Sequence, residues 1–339
     1  MKVLVTGAKG FICGYVIETL LSKGWSVVGL DNFSKYGAIE KSYDAHPNYK
    51  FIEGDAKNVQ ILKDALADCD HFIAAAAMIG GISYFHEYAY DLISENERIT
   101  ASAFDAAIWA HKNKKLKKIT VISSSMVYEN ATKFPTPEGH QFECPPPFST
   151  YGFQKLAVEY YVRGAAEQYQ LPYTILRPFN CVGIGEKKAA SGKYIKSGNI
   201  ELAFSHVVPD LAQKILKGQD PVSLLGSGGQ LRHYTYGGDL AKGIVLSLDH
   251  PKALNNDFNL STDKTTSVLE LAEMIWKRAN PKKPFRYVTE KPFKYDVQKR
   301  IPDVAKARDL LGFTASTGLD AMLDEIIPWI QTQIELGGI

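Results

Sequence analysis

The stretch "KVLVTGAKGFICG", Lys2 to Gly14, runs from a short apolar segment rich in β-branched residues into two glycines, Gly7 and Gly10. The segment reads as a buried strand that stops at Gly7. "FICGYVIETLLSKG" then continues with helical periodicity, and "WSVVGLDN" resumes as a strand. That is a βαβ unit. Glycines at these two places let the backbone turn tightly and approach a pyrophosphate, which then rests on the N–H groups at the helix N-terminus. Asp31 ends the second strand, where its carboxylate can bond both ribose hydroxyls and would repel a 2′-phosphate, so NAD is favoured over NADP. Glycines at strand ends also serve turns that bind nothing. The strand before, the helix after and the acid beyond are what turn this pair toward dinucleotide binding.

Further strands are expected at "YKFIEGD", "HFIAAAA", "KKITVISSS" and "PYTILRP", with helices around 57–68, 92–113 and 151–169. Buried apolar strands alternating with helices imply an α/β fold of Rossmann type, a doubly wound parallel sheet. From about Asn180 the pattern is less regular: a Gly/Lys-rich stretch, "GIGEKKAASGKYIKSGN", precedes helices near 206–217, 237–249 and 267–279. Residues 1–180 are expected to form the cofactor-binding domain, with later segments returning to it. Residues 181–339 are expected to form a smaller mixed α/β, mainly substrate-binding part, packed against the first without a flexible linker.

At 339 residues and 45% hydrophobic composition the chain can bury a large core. A net charge of +2, with lysines and arginines dispersed among the carboxylates, leaves no footprint for a nucleic acid or an anionic membrane. Cys13, Cys69, Cys144 and Cys181 show no CxxC spacing and read as reduced thiols, with neither a metal site nor a disulfide framework. No run approaches the roughly 18 apolar residues of a membrane helix, and "MKVLVTG" carries no basic leader, so a cytoplasmic location is expected.

In "STYGFQKLAVEYY", Tyr151 and Lys155 stand four residues apart, which puts phenol and ammonium on one helix face. A phenol has an ordinary pKa of about 10, and a neighbouring cation together with a nicotinamide ring would favour its phenolate. Such a pair also occurs on ordinary half-buried helices. "VISSSMVY" weighs toward chemistry, because Ser123 to Ser125 fall at the carboxyl end of a strand, where ligands bind in a doubly wound sheet. A serine there could hold a substrate oxygen while Tyr151 removes its proton. Turn capping is the other role open to these serines.

"TGAKGFI", "EGDAKN", "SSSMVY", "YGFQK", "RPFN", "RHYTYGGDLAKGI", "FNLST" and "RIPDVAKARDLLGF", in this order along nearly the whole chain, resemble an extended short-chain dehydrogenase/reductase of the branch that modifies nucleotide-activated sugars. The resemblance implies that NAD is held by Gly7, Gly10, Phe11, Ile12, Asp31, Asn32, Asp55, Ala56, Ala75, Ala76, Asn96 and Phe179, together with Tyr151 and Lys155. It makes Ser124 the catalytic serine and places Gly81, Ser125, Met126, Asn180, Arg232 and Arg300 at a nucleotide-diphosphate sugar. Two guanidiniums suit a diphosphate. It further implies a homodimer through the helix after Asn96 and the helix of Tyr151, and a place in carbohydrate biosynthesis.

Departures narrow the chemistry. Cys13 replaces the family's third glycine, so the helix is expected to pack slightly further from the loop. Sugar 4,6-dehydratases carry Asp-Glu, and UDP-glucuronate decarboxylases a Glu, where this chain has Ser125 and Met126, which disfavours both reactions. "AMIGGISYFHEY" is similar to the substrate loop of GDP-mannose 3,5-epimerase, and "SHVVPDLAQK" to the GDP-fucose synthase segment whose histidine is an acid/base, here His206. The alternative for His206 is a structural hydrogen bond at a helix N-terminus. Both relatives have a cysteine in place of Met126. The expected activity is an epimerase, as in UDP-glucose 4-epimerase, acting through a transient 4-keto sugar at C4, or at C3 or C5 with His206. The alternatives are a 4-dehydrogenase that releases the keto sugar and a non-catalytic NAD-binding sensor.

Overall fold

A computed structural model describes residues 1–79, 88–186, 206–292 and 296–337. Gly81 and the lysines of 187–201 lie outside the described residues.

Seven strands form one sheet: β1 (Lys2–Thr6), β2 (Ser26–Asp31), β3 (Tyr49–Glu53), β4 (His71–Ala74), β5 (Lys118–Ile122), β6 (Tyr173–Pro178) and β7 (Asn256–Leu260). Every pairing is parallel, in the order β7-β6-β5-β4-β1-β2-β3. The order reverses at β1 and β4, and a crevice opens there outside the carboxyl ends of the strands. β1 shows why both faces must be covered: Val3 and Val5 enter one apolar cluster and Leu4 the opposite one. The first cluster takes in α1 (Phe11–Ser22) and, from the second half, residues of 240–260 and 307–313; the other takes in α2 (Val59–Leu66), α3 (Ala89–Asn113) and α4 (Thr150–Tyr169). Thus α6 (Gly237–Asp249), α8 (Ala305–Leu311) and β7 return to the large sheet.

β7 was not among the expected strands. Its sequence, "NDFNL", mixes polar and apolar residues, and it forms only by pairing with β6 at the sheet edge. A third cluster joins α5 (Val207–Leu216), α7 (Val268–Ala279) and α9 (Leu319–Glu335) around the strand Val222–Leu225, which pairs with Tyr287–Glu290. Among the described residues no helix is long and apolar enough to cross a membrane.

A buried ion pair locks α4 to β6. Arg177 donates from Nε and Nη2 to the two carboxylate oxygens of Glu159, at 2.7 and 2.8 Å, and from Nη1 to Asp257 on β7 at 2.7 Å. Glu159 also accepts from Ser123 at 2.7 Å and from Gln141 at 2.9 Å, and is wholly buried. Removing one partner strands the other charge, so Arg177→Met is expected to lower unfolding free energy by about 3–5 kcal/mol in urea titrations. A loss below about 1 kcal/mol, the worth of a surface pair, would remove the lock from this account.

Candidate active site

The crevice is a cavity of about 620 Å³. At one end lies the glycine turn. Gly7 has φ +75° and donates its N–H to the Leu30 carbonyl at 2.8 Å; a Cβ there would meet Ala76 Cα at 3.1 Å. A Cβ on Gly10, the N-cap of α1, would meet the Gly7 carbonyl oxygen at 2.9 Å. Both positions require glycine. Cys13 is buried behind them, its thiol donating to the Thr6 carbonyl at 3.7 Å and pushed up to about 12 by burial, so it packs as a neutral group.

Asp31 reaches the same space from the end of β2. Its carboxylate accepts from the N–H groups of Lys9 at 2.9 Å and Phe33 at 2.8 Å, and burial raises its pKa. Phe11, Ile12, Asn32, Asp55, Ala56, Ala75 and Ala76 also line the cavity. Each follows a strand or opens α1. A cradle that a Cβ would fill, with a carboxylate beside it and the start of a twelve-residue helix above it, fits NAD.

Two residues implied as cofactor contacts are not on the wall. Asn96 is buried and clamps the chain beyond β4, accepting from the Met78 N–H at 2.7 Å and donating to its carbonyl at 2.9 Å. Phe179 is buried in a cluster with Tyr128 and Leu156. Both are buried behind the residues that line the cavity.

Ser124, Tyr151 and Lys155 come together as expected. Ser124 ends the extended run after β5, accepts from the Met126 N–H at 3.2 Å and shares a hydrogen bond with the Tyr151 phenol. Lys155 donates to the Ile122 carbonyl at 3.1 Å, its nitrogen 6.0 Å from the centre of the Tyr151 ring. Gly152, to which the sequence reading assigned no role, permits this meeting: a Cβ there would strike Pro147 at 2.7 Å and the Met126 carbonyl at 2.8 Å. The start of α4 is pinned by Ser149, which accepts from the Gly152 N–H at 3.0 Å and donates to Glu129 at 2.6 Å.

The electrostatics bring in a further cation and a strong effect of burial. Burial raises the Tyr151 phenol, while the Ser124 hydrogen bond and the Arg300 charge act to lower it. Burial lowers Lys155 to about 8. Arg300 therefore adds a second positive charge near the phenol, beside that of Lys155.

Arg232 and Arg300 line the cavity with Ser125, Met126, Asn180 and His206. Arg300 is driven down to about 9 by burial and by Arg232, and Arg232 is lowered by burial. Arg232 reaches Asp296 only at 3.7 Å. The Arg300 Nε and the buried Tyr234 hydroxyl have no hydrogen-bond partner among the described residues. Two like charges held side by side, Arg232 buried and Arg300 partly so, call for an anion. Asn180 adopts φ +35° and donates to the His233 carbonyl at 3.2 Å. His206 precedes α5 without capping it and meets Glu186.

The model of the NAD dependent epimerase/dehydratase family matches residues 3–261. The chain belongs to this family. Its cofactor is therefore NAD, and its fold that of the short-chain dehydrogenase/reductase epimerases. It is 26% identical over 351 residues to a UDP-glucose 4-epimerase of Halalkalibacterium halodurans, covering 97% of this chain and 95% of that one. The structure of UDP-glucose 4-epimerase with UDP-glucose from Thermotoga maritima superposes with a TM-score of 0.80 at 26% identity, covering 98% of this chain and 100% of that chain. MoeE5 in complex with UDP-glucose and NAD superposes with a TM-score of 0.79 at 26% identity, over 98% and 100%.

The Lys155 value sets a pH dependence. The ammonium is charged below about 8 and neutral above, so turnover is expected to fall as pH rises through that value. Lys155→Met should run about 100-fold slower and lose that limb. A limb surviving the substitution would transfer it to another group.

Proposed function

We propose that the protein is a nucleotide-sugar epimerase working through a transient 4-keto sugar. The observation that carries this reading is the meeting, in one cavity, of the Ser124–Tyr151–Lys155 group with two neighbouring guanidiniums, those of buried Arg232 and partly buried Arg300. Arg232 and Arg300 bind the diphosphate, which sets the sugar against Tyr151. Ser124 holds the C4 hydroxyl and Tyr151 takes its proton, while Arg300 and Lys155 favour the anionic forms that arise. Gly7, Gly10 and Asp31 hold NAD, which when bound supplies a reversible two-electron acceptor for C4. When Tyr151 returns the proton after the sugar has turned over, the C4 epimer results; with His206 taking part, inversion falls at C3 or C5. Ser125 and Met126 offer no acid for eliminating water.

Two copies are proposed to pair through α3 and α4, whose outer face leaves Phe153, Tyr160 and Tyr161 exposed. Light scattering at micromolar protein should give twice the chain mass; a single-chain mass would refute the pairing.

Tyr151→Phe should lower turnover by at least about 1000-fold while NAD content holds. The assay is a panel of UDP-, GDP-, dTDP- and CDP-sugars in deuterated water, read by NMR and mass spectrometry. A released keto sugar with stoichiometric reduced cofactor would overturn the epimerase reading in favour of a dehydrogenase. Unchanged function in Tyr151→Phe would point to a sensor.

A further inference from the structure

His206 stands at the start of α5, yet among the described residues its side chain makes no capping bond to that helix. Its Nδ1 lies 2.6 Å from Oε1 of Glu186, on the segment that follows β6. The Glu186 side chain is 4% exposed and that of His206 38%, and His206 faces the cavity. The segment leading to Glu186 is tied to α1, where the Tyr15 phenol oxygen accepts from the Ile184 N–H at 2.9 Å; a Cβ on Gly183 would strike that oxygen at 2.4 Å. Lys35, also on the cavity wall, interacts electrostatically with Glu186.

A carboxylate shut away from water and bonded to one imidazole nitrogen fixes the ring's orientation and tautomer, and supports the cation when the other nitrogen gains a proton. A histidine kept for the helix alone would cap its N–H groups. Here the ring is turned to the carboxylate; with Glu186 accepting from Nδ1, the basic lone pair is that of Nε2.

We infer that Glu186 is a positioning residue for His206, and that the two act as one base at a carbon next to the C4 ketone. This rests on the 4-keto reading above. Nε2 takes the proton from C3 or C5, the C–H electron pair becomes a double bond to C4, and the carbonyl pair moves to the C4 oxygen beside Tyr151. The half-exposed imidazolium exchanges with water; a solvent-derived proton then returns to carbon as the electrons flow back. No oxidant is consumed. With Met126 unable to carry a proton, exchange is confined to a single carbon.

The test incubates the NAD-loaded enzyme with UDP-glucose, UDP-glucuronate, GDP-mannose and dTDP-glucose in deuterated water. One deuterium at C3 or C5 is expected. Glu186→Gln should slow incorporation about tenfold or more, with the transient absorbance of reduced cofactor, which reports oxidation at C4, retained; Glu186→Asp should recover part of the rate. Turnover without incorporation, or equal incorporation in Glu186→Gln, would overturn the inference. Absence of reduced cofactor with every sugar would be a failure of the 4-keto reading instead. The imidazole nitrogen shifts of His206, assigned by their loss in His206→Asn, then decide the pairing: Nδ1-protonated in the parent and altered in Glu186→Gln if it holds, identical in both if it does not.

Discussion

The Glu159–Arg177 pair is the contact on which the geometry of the cavity rests. Its carboxylate belongs to α4, one turn beyond Lys155, and its guanidinium to β6, so the bidentate bond sets how the helix of Tyr151 and Lys155 lies on the sheet. Ser123 donates to the same carboxylate, which fixes the residue before Ser124. Through Asp257, which accepts from both Arg177 and Lys306, the pair also anchors the edge strand β7 and the segment that opens α8. A buried pair holds only when every remaining lone pair and proton is satisfied. Ser123, Gln141 and Asp257 meet that condition here.

Around this fixed frame Lys155, Arg232 and Arg300 gather on one part of the cavity wall. Lys155, Arg232 and Arg300 are all lowered by burial, which means the fold holds cations where water stabilises them less than at the surface. On the function proposed above, a dianionic diphosphate relieves that cost and couples substrate binding to the charge state of the phenol through Arg300. At the other end the need is steric: Gly7 and Gly10 keep the backbone bare so that a phosphate can come close.

The βαβ opening, the parallel sheet and the meeting of Ser124 with Tyr151 and Lys155 were legible because each is written in a few consecutive residues. A β-branched run ending at glycine, an apolar period of 3.6 and a four-residue offset carry their geometry with them. What the motif could not give for Asn96 and Phe179 is the direction of each side chain: the Met78 backbone engages one and the Tyr128 cluster the other. Gly152 passed as an ordinary helix residue, since only the approach of Pro147 and Met126 makes a side chain there impossible.

By itself the sequence determined the fold class, the glycine cradle, the acid at the end of β2 and the serine, tyrosine and lysine that meet at the carboxyl end of β5. Tertiary structure alone decided which charges act on that group, that His206 turns to Glu186 instead of capping α5, and that "NDFNL" becomes the seventh strand. The reason lies in range. Turns and periodicity are local, whereas burial, charge state and the pairing of Arg300 with Tyr151 or Glu159 with Arg177 depend on segments far apart in the chain meeting in a dry interior.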